Sequence, residues 1–334
     1  MPALLEPPDT AIAEAYARLQ TGSLLLPLGP RTQLEITGAD RVQFLNSFCT
    51  GDLKKLKPGE GCEAFITNHQ GKAAGHGNIF AAVERLLLIG AAGQAEKLIA
   101  HFDKFVISEQ ITFNDQSQTT EQLLLAGSNA ETVLQSAGLI APAGRLVHQL
   151  VPQNGVDLLL ARVDYLASTP AFLFSISKEQ SSELIAKLTT AGAISPPAEV
   201  AAAVCEMTRV EAGYPLYGQD ITEDNLPQEV QRDAQAISFT KGCYLGQETI
   251  ARLDALGHVN RVLTGLKFPT EAVLQPGETI VQGDKKLAQV TSLAWSPKLQ
   301  SPLVLAYVRT LHATPGKRLA FAGGEAEVVR LPLE

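Results

Sequence analysis

The chain has 334 residues, 45% of them hydrophobic and 6% aromatic, with a net charge of -8, enough to bury a large core divided into two or three units. The acids concentrate before residue 240 and a slight basic excess follows; without a basic stripe or base-stacking aromatics, nucleic-acid binding is excluded. Apolar runs such as Leu86 to Ala92 fall far short of the ~20 residues of a membrane span, and the start MPALLEPPDTAIAEAYARLQ, acidic and with paired prolines, resembles no signal or transit peptide, so a cytoplasmic protein without a membrane partner is expected.

In chain order, RLLLIGAAGQAEKLIAHFDKF reads as an apolar strand followed by an amphipathic helix, with Ala95, Leu98, Ile99 and Phe102 at helical spacing. AFLFSISKEQSSELIAKLTTAGA repeats it, with Leu184, Ile185 and Leu188 as the stripe and Ser177 as helix cap. Two such units among further strands predict paired α+β halves of ferredoxin-like kind. Ser195-Pro196-Pro197 breaks the pattern before a helix over AEVAAAVCEMTRVEAG. From Val262 onward, short strand-like runs alternate with turns at Pro276-Gly277, Gly283-Asp284, Pro315-Gly316 and Gly323-Gly324, which predicts a C-terminal β-barrel.

Two loops carry the chemistry. Arg209 to Asp220 reads RVEAGYPLYGQD: a carboxylate such as Glu211 can accept two bonds from the adjacent N–H donors of a heterocycle, while Tyr214 and Tyr217 cover its faces. The same tyrosines could instead fill a core. Lys241 to Glu248 reads KGCYLGQE, a glycine-bracketed loop in which Lys241 or Arg252 could activate the Cys243 thiol, unless that cysteine is simply buried. Cys49, Cys62, Cys205 and Cys243 contain no C-x-x-C pair, so neither a disulfide framework nor a metal site is expected, and the chain alone should hold no stable iron–sulfur cluster. His69 and His76 are expected to be an ordinary solvated pair.

The segments R-x-E-A-G-x-P-L-Y-G and K-G-C-Y-x-G-Q-E, with the block from Leu53 through KPGEGCEAFITNHQGK to Lys72, resemble the YgfZ-type folate-binding proteins, relatives of the glycine-cleavage T-protein (aminomethyltransferase). The resemblance spans nearly the whole chain. It implies an α+β fold, an interleaved ferredoxin-like, T-protein-like folate-binding core around a channel with a C-terminal β-barrel: residues 1–50 and 125–240 as a discontinuous core, 51–124 as an inserted α+β domain, and 241–334 as cysteine loop and barrel. It implies tetrahydrofolate or a one-carbon derivative as cofactor, bound by Glu211, Tyr214, Tyr217, Arg209, Asn68 and Arg252, with Cys243 and Lys241 as catalytic candidates. The function so implied is assembly or repair of iron–sulfur enzymes, with client or assembly proteins as partners; a folate-dependent aminomethyltransferase or one-carbon transferase and a noncatalytic folate-gated scaffold are the alternatives.

The sequence departs from the T-protein pattern twice. After Thr67-Asn68 the block to Asn78 holds no carboxylate; a neutral His76 or Asn78 could hydrogen-bond a folate nitrogen, but neither reproduces the anion that stabilises a developing iminium, which disfavours aminomethyl transfer. Before the cysteine loop, Ala236 to Phe239 supply no arginine, leaving Arg232, Arg252 or Arg261 for an anionic tail.

Overall fold

The computed structural model describes residues 5–153, 155–166, 169–282, 285–321 and 323–333. The chain begins with α1 (Thr10–Thr21), β1 (Leu24–Pro27), β2 (Arg31–Thr37) and α2 (Arg41–Asn46), then β3 (Gly61–Thr67), β4 (Ala73–Ala81), β5 (Arg85–Ala91), α3 (Ala95–Asp103) and β6 (Thr112–Asp115). There follow β7 (Thr120–Ala126), α4 (Ala130–Ser136), β8 (His148–Gln153), β9 (Val156–Val163), β10 (Ala171–Ser177), α5 (Lys178–Thr190), α6 (Ala198–Ala212), α7 (Asp233–Ala236) and α8 (Gln247–Leu256). Last come β11 (Arg261–Lys267), β12 (Thr279–Gln282), β13 (Lys285–Ser296), β14 (Ser301–Arg309), β15 (Arg318–Phe321) and β16 (Gly324–Val329).

One sheet has the order β3-β4-β5-β2-β6 and a second β1-β7-β10-β9-β8. The two strand–helix repeats fall one in each, as β5 with α3 and β10 with α5. Their stripes dock as the spacing requires: Ala95, Leu98 and Phe102 are buried in one half, Leu184 and Leu188 in the other. Ser177 occupies the N-cap of α5 without a side-chain bond there. Strand membership follows pairing, not the expected residue spans: β2, within 1–50, pairs with β5 and β6 of the 51–124 segment, and β7 at that segment's end pairs with β1 and β10. The exchange of β1 and β7 between sequence-distant partners makes the halves interleave.

The C-terminal sheet runs β12-β13-β14-β11-β16-β15, and β12 and β15 at its two edges return into contact, giving a nearly closed six-stranded barrel. The expected turn at Gly283-Asp284 lies outside the described residues. Helix α6 is buried on several sides. Its Ala201 and Val204 join the apolar cluster of β1, β7 and β10, while Met207 and Val210 join a cluster with Trp295, Leu303 and Leu305 of the barrel. Full burial of such side chains contributes roughly 1.5–3 kcal/mol each. Gly213 ends the helix with φ +68, its N–H bonding back to Arg209 and Val210 carbonyls.

Candidate functional site

A cavity of about 1090 Å³ lies between α6 and the two sheets, walled by β4 and β5 from one and β7 and β10 from the other. Helix α6 presents Ala202, Cys205, Glu206 and Arg209 to it, an i, i+3, i+4, i+7 row that one helix face must produce. Tyr214 and Tyr217 line it from the loop after the helix. Both are also well buried, Tyr214 against the Tyr165 ring at 4.7 Å and Tyr217 in the cluster with Phe65 and Val230. The same two rings thus fill the core and line the cavity.

The carboxylates lining this space are those of Glu206 and, exposed on the first turn of α6, Glu199, whereas Glu211 does not line it. Glu206 takes two bonds from Arg209, at 2.9 Å from Nε and 2.5 Å from a terminal nitrogen, and its side chain stays 28% exposed. Glu211 lies five residues on, about 140° around the helix, and is 1% exposed. Its Oε2 accepts from Tyr16 Oη at 2.6 Å, and its Oε1 from Ser296 Oγ at 2.5 Å and the Lys298 amide at 3.3 Å. Glu211 thus ties α1 and the barrel to α6. Burial first, and then the bond to Glu211, push the Tyr16 phenol well above its ordinary range.

Arg209 is a positioning residue. Its guanidinium also donates to Asp220 at 2.9 Å, to the Tyr214 carbonyl at 2.8 Å and to Ser292 Oγ at 2.7 Å, which commits all five of its N–H donors. It fixes Glu206 and the tyrosine loop and has no donor left for a ligand.

The cysteine loop serves another purpose than expected. Lys241 Nζ turns inward and donates to the carbonyls of Asn46, Cys49 and Gly51 at 2.6–2.7 Å, and burial lowers its pKa. It anchors the loop and lies 4.0 Å from the Cys49 thiol. Cys243 is exposed and lines neither of the protein's described cavities. Gly246, with φ +82, sits against the Asn68–Gly71 turn so closely that a Cβ would lie 2.3 Å from the Asn68 carbonyl, whereas Gly242 has no positive φ. Asn68 Oδ1 is used within its turn by the Gln70 and Lys72 amides. Arg252 is exposed on α8, away from the cavity.

An alkylating reagent in limiting amount at neutral pH should therefore modify Cys243 first. Cys49 and Cys205 are held back by burial, which pushes their thiols up to about 11 and about 12, and Cys62 is raised further by the same cause. A ligand in the cavity should leave the Cys243 rate unchanged. Peptide mass spectrometry reads both results.

Of the arginines proposed for an anionic tail, Arg232 is buried in ion pairs to Glu63 and Asp164, and Arg261 pairs with Glu229 at a separate cleft of about 940 Å³. Arg31, at the start of β2, lines the cavity instead. His76 also lines it and is 3% exposed, so it is no solvated partner of His69. Its Nε2 lies 2.8 Å from Glu63 Oε1. Asn78 donates to the Tyr165 hydroxyl at 2.9 Å and so positions that ring. Glu206, Tyr165 and Arg31 were missed because none belongs to the two loops read for chemistry, and Glu63 because nothing within the Leu53–Lys72 block marks it; the β3–β4 hairpin register, with Glu63 opposite Asn78, is the signal that places Glu63 beside His76.

The GCVT N-terminal domain family model matches residues 8–240, and the glycine cleavage T-protein C-terminal barrel domain model matches residues 261–333. The chain belongs to the glycine-cleavage T-protein family. It is 27% identical over 311 residues to the aminomethyltransferase of Halalkalibacterium halodurans, covering 92% of this chain and 84% of that one. It is 26% identical over 304 residues to the Thermus thermophilus aminomethyltransferase, covering 90% and 83%. The crystal structure of glycine cleavage system aminomethyltransferase T from Bartonella henselae shares the fold, with a TM-score of 0.78 at 20% identity over 96% of this chain and 89% of that one. The expected T-protein relation and α+β fold with a C-terminal barrel are thereby shown. Among the described residues no helix is long and apolar enough to cross a membrane, and no cluster of three or more His, Cys, Asp or Glu side chains is placed to hold a metal ion.

Proposed function

We propose that this T-protein family member binds a reduced folate in the central cavity, as a one-carbon transferase of aminomethyltransferase type. The observation that carries the reading is the pairing of an aromatic wall, Tyr214 with the Tyr165 ring tilted 54° to it, and the Glu206 carboxylate in one cavity of ligand size. A pteridine ring fits this donor set: aromatic faces for its plane, a carboxylate for adjacent N–H groups, and Arg31 for an anionic tail. Bound folate would supply the nitrogen that carries the one-carbon unit; the chain's residues orient the ring and screen it from water.

The aminomethyltransferase relatives favour transfer over the iron–sulfur accessory role. The accessory role and the YgfZ-type assignment rest on the Cys243 motif, and an exposed thiol outside the cavity suits only contact with a second protein. Calorimetric titration with tetrahydrofolate tests the reading: wild type binds, and Glu206→Ala weakens binding by about 1.5–3 kcal/mol, the worth of a charge-assisted bond pair. Equal affinity of the two proteins would move the site elsewhere.

A further inference from the structure

The β3–β4 hairpin builds a second polar device into the same cavity. The backbone of His76 is clamped by the Gln94 amide, which accepts from the His76 N–H at 2.9 Å and donates to its carbonyl at 3.1 Å. Its ring lies 4.8 Å from Phe65 and 6.3 Å from Tyr214, and Nε2 is held by Glu63. Glu63 is 0% exposed, and Arg232 bonds both of its oxygens, at 2.5 and 2.6 Å, with Arg145 added to one of them. Burial alone would raise the Glu63 carboxyl, but the Arg232 charge and the bonds from His76 and Arg232 outweigh it and hold the group well below the ordinary carboxylate range.

An ionised carboxylate only accepts, so the proton of a neutral His76 sits on Nε2. That leaves Nδ1 with a bare lone pair. Among the described residues Nδ1 has no bonding partner, yet it is not among the buried unpartnered atoms, which include the ring nitrogens of His101 and His148. With His76 lining the cavity, the free nitrogen is the one open to it.

We propose that His76, oriented by Glu63, is a specificity-determining acceptor that selects ligands presenting an N–H on the pyrazine ring, and so distinguishes a tetrahydro-pteridine from an oxidised one. A reduced ring offers an N–H where the aromatic ring offers a second lone pair. The mismatch of two acceptors in a desolvated site costs what an unmade bond costs, about tenfold or more in affinity. This deepens the folate reading and rests on it. The charged and titratable groups around His76 are Glu63 from β3, Arg232 at the start of α7, Arg145 and Asp164 behind them, and Tyr214 and Tyr165 across the cavity.

The test titrates tetrahydrofolate and folic acid into wild type and His76→Gln. Glutamine reproduces the Nε2–H to Glu63 but places nothing at Nδ1, so folding is preserved and a thermal melt verifies it. Wild type should prefer tetrahydrofolate by about tenfold or more at neutral pH. His76→Gln should bind the two ligands within about twofold. A variant that keeps the wild-type ratio overturns the acceptor role while leaving the folate reading intact. Absence of binding of either ligand to wild type overturns both. Nitrogen NMR of the labelled imidazole supplies an independent check: Nδ1 should carry no proton in the free protein and should shift on tetrahydrofolate addition, and a protonated Nδ1 contradicts the assignment.

Discussion

Glu211→Ala should destabilise the protein by about 3 kcal/mol, because it strands three donors that now meet one carboxylate in a buried site. Those donors are Tyr16 Oη, Ser296 Oγ and the Lys298 amide, and they come from the N-terminal helix and the barrel. The contact joins segments far apart in sequence, so its loss should loosen α1 and the barrel together. The motif alone suggests the opposite outcome, a ligand residue whose removal leaves the fold intact. Chemical denaturation beside thermal melting decides between them. Tyr16→Phe, which removes a single donor, should cost about 1 kcal/mol.

The second large effect is expected at Glu63. Glu63→Ala would leave the buried Arg232 guanidinium without its bidentate partner, a loss of about 3 to 5 kcal/mol, because an uncompensated buried charge costs more than the pair contributes. The pH dependence has a definite sign. The carboxyl is held below its unfolded value of 4.5, so its contribution is present in full above that pH and is lost as pH falls through it toward the folded value. Wild-type stability should thus erode on acidification below about pH 4.5, and Glu63→Gln should show a flatter profile there. A variant with wild-type stability and an unchanged acid limb would remove Glu63 from this role.

Much of the fold was legible from periodicity. The strand–helix units at 85–105 and 171–193 announce themselves because the period switches from an apolar run to a 3.6-residue stripe, and the barrel strands because glycine- and proline-bearing turns separate them. Which strands pair was not legible: β1 and β7 cross between halves through contacts no local pattern encodes. The site divides likewise. The tyrosine loop was found from residue chemistry, but choosing between Glu206 and Glu211 requires knowing which face of α6 meets the cavity, and both faces are buried against something. Lys241 reads as a cation beside a thiol because the two are near in sequence, yet the chain turns its Nζ onto backbone carbonyls near Cys49. His76 and Glu63 meet only across a hairpin register.

The division of labour between the two carboxylates of α6 is tested most directly by titrating tetrahydrofolate into wild type, Glu206→Ala and Glu211→Ala at a temperature where all three are folded. Wild type and Glu211→Ala should bind within about threefold of each other, while Glu206→Ala should lose about tenfold or more. The reverse ranking, with Glu206→Ala binding normally and Glu211→Ala failing to bind while still folded, would contradict the placement of the ligand against Glu206 and Tyr214.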